Sequence, residues 1–208
     1  MRPSIIASVL VTAILACQTL TPGPPPEPGP AKPSPAPTVP FSQRQAHFEN
    51  QWVAFDHPEG LEVYAAGDAT FLSYLDIDLG GDLVVGLGDP RLAHSGRYWR
   101  SIRILRRALP AGMDLTQLMT ETYAQWILER ASPPIGGEPG ADGPVTVNAR
   151  GAVQKVYRVD PSYEHRDIWI PVNAEVFIIS IGYMWTTYQD VTDFNALADG
   201  ILRTLVIK

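Results

Sequence analysis

Two stretches of the chain place apolar residues three and four positions apart, the spacing of a helix with one buried face. The first carries Leu115, Leu118, Met119, Thr122, Tyr123, Trp126 and Ile127. Asp114 or Thr116 supplies its N-cap, and Gln117 stands three residues after Asp114, as in a capping box. Pro133 and Pro134 stop it. The second begins near Asp190 to Asp193 and presents Phe194, Leu197, Ala198, Ile201, Leu202 and Leu205. Arg203 in its last turn suits the negative end of the helix dipole.

Elsewhere the pattern is that of strands. Val53–Phe55 and Leu61–Tyr64 flank the turn-rich Asp56-His57-Pro58-Glu59-Gly60, and Leu83–Gly88 is a short apolar run. Arg100–Leu109 contains the β-branched pair Ile102 and Ile104, and Val145–Asp160 alternates in two stretches around Gly151. Asp167–Pro171 and Glu175–Tyr183 read as a hairpin about Val172-Asn173-Ala174. The second of these is apolar on both faces, which places it centrally in a sheet covered on two sides. Strands, a helix, more strands and a final helix define an α+β domain: an antiparallel sheet flanked by helices.

The first 44 residues follow another logic. Ile5–Ala16 is an uninterrupted run of apolar and small residues behind Arg2, the only charge before Glu27. It is shorter than the ~20 residues that a spanning helix needs and has the form of a signal-peptide core. The run ends in Ile14-Leu15-Ala16-Cys17, which resembles a bacterial lipobox. The resemblance implies cleavage after Ala16 and lipidation of Cys17, the only cysteine in the chain. Acyl chains hold a protein to a bilayer at about 0.8 kcal/mol per buried methylene. Gln18 after Cys17 permits an outer-membrane location. Ten of the 20 prolines then fall between Pro22 and Pro40, a composition that cannot bury a core. At ~3.1 Å per residue, such a tract holds a domain up to about 70 Å from a membrane. The expected organisation is a lipoprotein signal peptide at 1–16, a disordered tether at 17–44 and a globular domain at 45–208.

Charge narrows the function classes. The chain carries 16 basic and 22 acidic residues. Its first 40 residues hold two of the former and one of the latter, which leaves the domain 14 and 21, a net charge of −7. That balance argues against a nucleic-acid binder.

The domain resembles the PsbP-like (Mog/PsbP) family, whose members include an extrinsic photosystem II subunit, a Ran-binding import factor and many bacterial lipoproteins. Val53-Ala-Phe-Asp-His-Pro-Glu-Gly, the helix after Leu109-Pro-Ala-Gly, the hairpins from Val145 to Tyr183 and the closing Leu202-Arg-Thr-Leu-Val-Ile carry the resemblance. It implies an α/β/α sandwich and brings no shared catalytic residues. The segment from Asp68 to Pro90 departs from the family pattern.

Few residues suggest chemistry. Asp76, Asp78 and Asp82, with Asp68 and Asp89 nearby, lack EF-hand spacing, and Asp76 and Asp78 read as the outer face of a strand with Phe71, Leu75, Ile77 and Leu79 inside. His47, His57, His94 and His165 show no i, i+4 pair; His57 reads as a turn residue and His165 as a solvated hairpin shoulder. Gly86-Leu-Gly88 is a fragment of a nucleotide fingerprint without the helix that should follow. No serine stands in Gly-x-Ser-x-Gly.

Arg91, Arg97, Arg100, Arg103, Arg106 and Arg107 crowd 17 positions. On a continuous strand Arg97, Arg103 and Arg107 share a face with Trp99, either as an anion-facing patch or as a solvated face paired with carboxylates. Tyr183-Met-Trp-Thr-Thr-Tyr188 suits a pocket, an interface or core packing. The expectation is a non-enzymatic, lipid-anchored protein of the cell envelope that meets the membrane through Cys17, needs no cofactor, and binds a protein partner or small ligand. The alternatives are a membrane-anchored hydrolase or metal-dependent enzyme with no visible motif, and an assembly factor for a membrane complex.

Overall fold

The computed structural model of the protein describes residues 44–68, 71, 78–94, 97–129, 135–136, 142–160, 163–184 and 188–208. The chain divides into units Met1–Val39 and Pro40–Lys208, and all described residues lie in the second. Cys17, the signal peptide, nearly all of the tether, Asp76, Pro133, Pro134 and Trp185 fall outside the described residues.

Strands β1 (Gln45–Glu49), β2 (Val53–Pro58), β3 (Glu62–Ala65) and β4 (Asp82–Gly88) come first, then the short β5 (Ala93–His94) and β6 (Arg97–Tyr98). Next follow β7 (Arg100–Ala108), helix α1 (Leu115–Glu129), β8 (Ile135–Gly136), β9 (Gly143–Val147) and β10 (Arg150–Asp160). The chain ends with β11 (Tyr163–Val172), β12 (Glu175–Met184), α2 (Tyr188–Thr204) and β13 (Val206–Ile207). The main sheet has eight antiparallel strands in the order β3-β4-β7-β12-β11-β10-β8, with β9 also on β10. A second sheet is β1-β2-β13.

The central strands alternate between two cores. On β12, Phe177, Ile179, Ile181 and Tyr183 join one apolar cluster, while Val176 and Ile178 join the other. Ile168 and Ile170 of β11 and Ile102 and Ile104 of β7 side with the first; Trp169 and Leu105 side with the second. The first cluster takes Phe194, Leu197, Ala198, Ile201 and Leu202 of α2, together with Val53 and Phe55 of β2 and Ile207 of β13. The second takes Leu118, Met119 and Tyr123 of α1. One flank is thus a helix and the other a helix plus a small sheet. The fold is dominated by antiparallel sheet, and the α/β/α description matches it only in part. None of the described helices is long and apolar enough to cross a membrane.

Local chemistry explains the boundaries. Asp114 caps α1 reciprocally: its Oδ1 accepts from the Gln117 amide at 2.8 Å, and the Gln117 Oε1 accepts from the Asp114 amide at 3.0 Å. The β9–β10 turn lies at Asn148 and Ala149, with φ of 44° and 64°, rather than around Gly151. Two positive φ values in succession match the twist of a hairpin, and Asn adopts them readily. Asn173, at φ 57°, begins the β11–β12 turn. His57 lies within β2, buried and edge-on to Phe55, not in a turn. His165 is also buried, 1% exposed and stacked on Tyr157 at an interplanar angle of 7°. It faces the interior because β11 alternates through an odd-numbered buried row of Tyr163, His165, Asp167 and Trp169.

Gly86 and Gly88 have a packing role. A Cβ at Gly86 would come within 2.8 Å of the Phe71 ring, and one at Gly88 within 2.5 Å of Tyr98. The two rings stack on each other at 5.9 Å, flat against β4. Gly88→Ala is therefore expected to destabilise the domain by about 1–3 kcal/mol through overpacking, read as a lowered urea midpoint. An unchanged midpoint would mean that Tyr98 moves aside without cost.

Candidate functional site

The arginine-rich segment does not form one exposed face. Arg97 is exposed on β6, but the strand is interrupted at Trp99, which is half-buried. The Trp99 amide donates to the Leu92 carbonyl at 2.9 Å, and its carbonyl accepts from the Met184 amide at 2.8 Å. Arg103 and Arg107 do share a face of β7, and that face meets the α1 layer instead of water. Arg103 is 8% exposed, with its guanidinium 3.4 Å from the Ser180 hydroxyl. Arg107 donates to the Leu79 carbonyl at 2.7 Å and to Thr122 Oγ1 of α1 at 3.0 Å.

The other arginines are also engaged. Asp89 is fully buried at the end of β4; Arg91 grips it through Nε at 2.8 Å and a terminal nitrogen at 2.9 Å. Arg100, itself 3% exposed, approaches the same carboxylate at 3.8 Å. A buried carboxylate thus lies between two cations, one of them also buried. Alternation alone could not reveal this, because Asp89 and Arg100 meet only when β4 pairs with β7.

A second polar cluster lies under α1. Asp167 of β11 is fully buried, and its Oδ2 accepts from Tyr157 of β10 at 2.6 Å and from Tyr123 of α1 at 2.8 Å. Trp169 Nε1 donates to the Tyr123 hydroxyl at 3.1 Å. Burial pushes the Asp167 carboxyl above the ordinary aspartate value, outweighing the hydrogen bonds from Tyr157, Ser180 and Tyr123 and the charge of Arg103. Burial likewise raises both tyrosines, and the Asp167 charge adds to the effect. These are the features of a catalytic cluster. Yet Asp167 and Trp169 have no exposure, and Tyr157 and Tyr123 only 3% and 7%. The cluster is sealed from substrate as it stands, and it fastens the helix to three strands.

An open cleft of about 580 Å³ lies among the described residues. Trp52 comes from the β1–β2 connection; Ala66, Gly67 and Asp68 follow β3; Asp82, Leu83 and Val84 open β4; Arg106 reaches in from β7. Asn50 holds the Trp52 loop: its side-chain oxygen accepts from the Trp52 and Val53 amides at 2.9 Å, and its amide nitrogen donates to the Val84 carbonyl at 3.3 Å. The Arg106 guanidinium lies 5.3 Å over the Trp52 ring and 3.0 Å from Glu175. Large amphipathic side chains of this kind dominate protein interfaces. Sequence reading missed this cleft because its residues come from four separate elements and share no motif. Asp78 is exposed and accepts from the Gly80 amide at 2.9 Å. Among the described residues no three His, Cys, Asp or Glu side chains converge as metal ligands. Tyr183 belongs to the core, its hydroxyl bonded to Glu164 and Asn195.

No family model and no curated protein matches the chain. Among solved structures it is similar to the solution structure of cyanobacterial PsbP (CyanoP) from Synechocystis sp., with a TM-score of 0.52 and 9% identity over 84% of this chain and 98% of that one. A crystal structure from Bacteroides thetaiotaomicron aligns at a TM-score of 0.40 and 11% identity, covering 76% of this chain and 45% of that one. The fold is therefore PsbP-like. At 9% identity the likeness concerns the fold alone, and fold does not carry function.

Proposed function

We propose that this chain is an exported bacterial lipoprotein, held in the cell envelope by lipid on Cys17, whose domain binds a partner protein and catalyses no reaction. Residues 17–44 serve as the tether. The carrying observation is the separation of two features. Asp167, Tyr123 and Tyr157, all with raised proton affinity, are sealed beneath α1. Neither Tyr98 nor Tyr183, also raised, lines the open cleft, which offers an aromatic–arginine pair and an apolar floor. An enzyme needs its shifted groups where substrate can reach them.

Two measurements test the two halves of this reading. Cys17→Ala should abolish incorporation of a labelled fatty acid and release the protein from membranes; retention of the label would exclude Cys17 as the attachment point. Trp52→Ala in the anchored chain should remove a specific crosslinked partner; because Trp52 also packs against the core, a urea unfolding curve checks that the variant is still folded under the crosslinking conditions. Unaltered crosslinking would exclude the cleft.

A further inference from the structure

The cleft has its own cation satisfied and an exposed carboxylate on its rim, that of Asp82. Among the described residues Arg106 is the one basic side chain lining it, and Trp52 and Glu175 already engage it. Asp82 is exposed, and its carboxylate makes no hydrogen bond or ion pair among the described residues. Asp68 lines the same cleft. Asp68, Asp82, Glu175 and Arg106 together carry a formal charge of −2, on a domain of −7. Between these groups lie Ala66, Leu83 and Val84. Of the six clustered arginines, Arg97 stays exposed on β6 but does not line the cleft, and most of the others are committed elsewhere. Arg100 and Arg103 are buried, Arg91 holds Asp89, and Arg107 holds Leu79 and Thr122.

We propose that the cleft receives a basic segment of a partner protein, in which a Lys or Arg stem lies on Leu83 and its charged head meets Asp68 and Asp82. This rests on the reading that the domain binds a partner through the cleft. Long basic side chains combine an apolar stem with a cationic tip, which is the pattern that an apolar floor with an acidic rim complements. The Trp52 ring already seats a guanidinium of its own chain, so the site has the chemistry for a cation. Opposite charge across the contact speeds encounter and excludes acidic competitors. The interaction therefore weakens as salt screens the exposed carboxylates.

The experiment uses the full chain and two short peptides, one alternating Lys and Leu, the other alternating Glu and Leu. Binding is followed by the Trp52 indole resonance and by calorimetry. The Lys–Leu peptide should shift Trp52 and bind more tightly at low salt. Asp82→Lys should weaken it by about tenfold or more, a change of about 1.4 kcal/mol. Asp82→Asn, which adds no like charge, should weaken it less and controls for folding. Equal binding of the Glu–Leu peptide, or no loss in either Asp82 variant, overturns the basic-partner inference. If neither peptide shifts Trp52 while Trp52→Ala still abolishes crosslinking in the anchored chain, this inference fails and the cleft reading stands. If Trp52→Ala leaves crosslinking intact, the cleft reading fails first.

Discussion

Asp89→Ala should remove about 3–5 kcal/mol from the stability of the domain, the usual cost of deleting one partner of a buried ion pair. The substitution leaves Arg100, 3% exposed, without the carboxylate it approaches at 3.8 Å. It also releases Arg91 from its two-point grip on that carboxylate. Whole domains are stable by only about 5–15 kcal/mol, so the loss should appear as a large drop in urea midpoint or as failure to accumulate. The double variant Asp89→Leu with Arg100→Met should recover part of the loss, because an apolar pair of similar size carries no buried charge. A single variant as stable as wild type would show that water reaches Arg100 and that the pair is not sealed.

Asp167→Ala should be nearly as damaging, for a different reason. The Tyr123 and Tyr157 hydroxyls would lose their shared acceptor, and each buried, unsatisfied group costs about 1–3 kcal/mol. Asp167→Asn isolates the charge. The folded carboxyl titrates above the ordinary aspartate value that the unfolded chain retains. Below the unfolded value both states are protonated, and the group has no effect on stability. As pH rises from there through the raised folded value, the unfolded state holds fewer protons, so stability falls and then levels off. The groups facing Asp167 are Tyr123 of α1, Tyr157 of β10, Ser180 of β12 and Arg103 of β7. Wild type should thus lose stability relative to Asp167→Asn across that window, measured as the difference between their urea midpoints at a series of pH values. A flat difference, or a wild type that gains on the variant as pH rises, contradicts the raised carboxyl.

Much of the scaffold was legible locally. The capping box at Asp114 and Gln117, the apolar run of β12 and the hairpin at Asn173 depend on neighbours in sequence, and each stands where its pattern places it. The α2 pattern also holds, with the helix beginning at Tyr188, ahead of Asp190. The arginine face failed because alternation counts positions only along an unbroken strand, and β6 and β7 are separated at Trp99. His57 and His165 were misjudged for a related cause. A histidine beside Pro58 or among charged residues resembles surface, until strand pairing shows which row faces inward. The cleft had no sequence signature, since Trp52, Asp82 and Arg106 lie far apart along the chain.

By itself, then, the sequence determined where apolar faces repeat: hence the strands, the two helices, a PsbP-like order of elements, and a proline-rich N-terminal stretch set apart by composition from the rest of the chain. Those are consequences of short-range spacing and composition. Tertiary structure decided the use of each charge. Six arginines within 17 residues read as a single patch along the chain. Strand pairing puts Arg100 beside Asp89, Arg103 beneath α1 and Arg106 over Trp52. The energy of a charge is set by its solvent exposure and its nearest partner, and across a sheet both come from other strands.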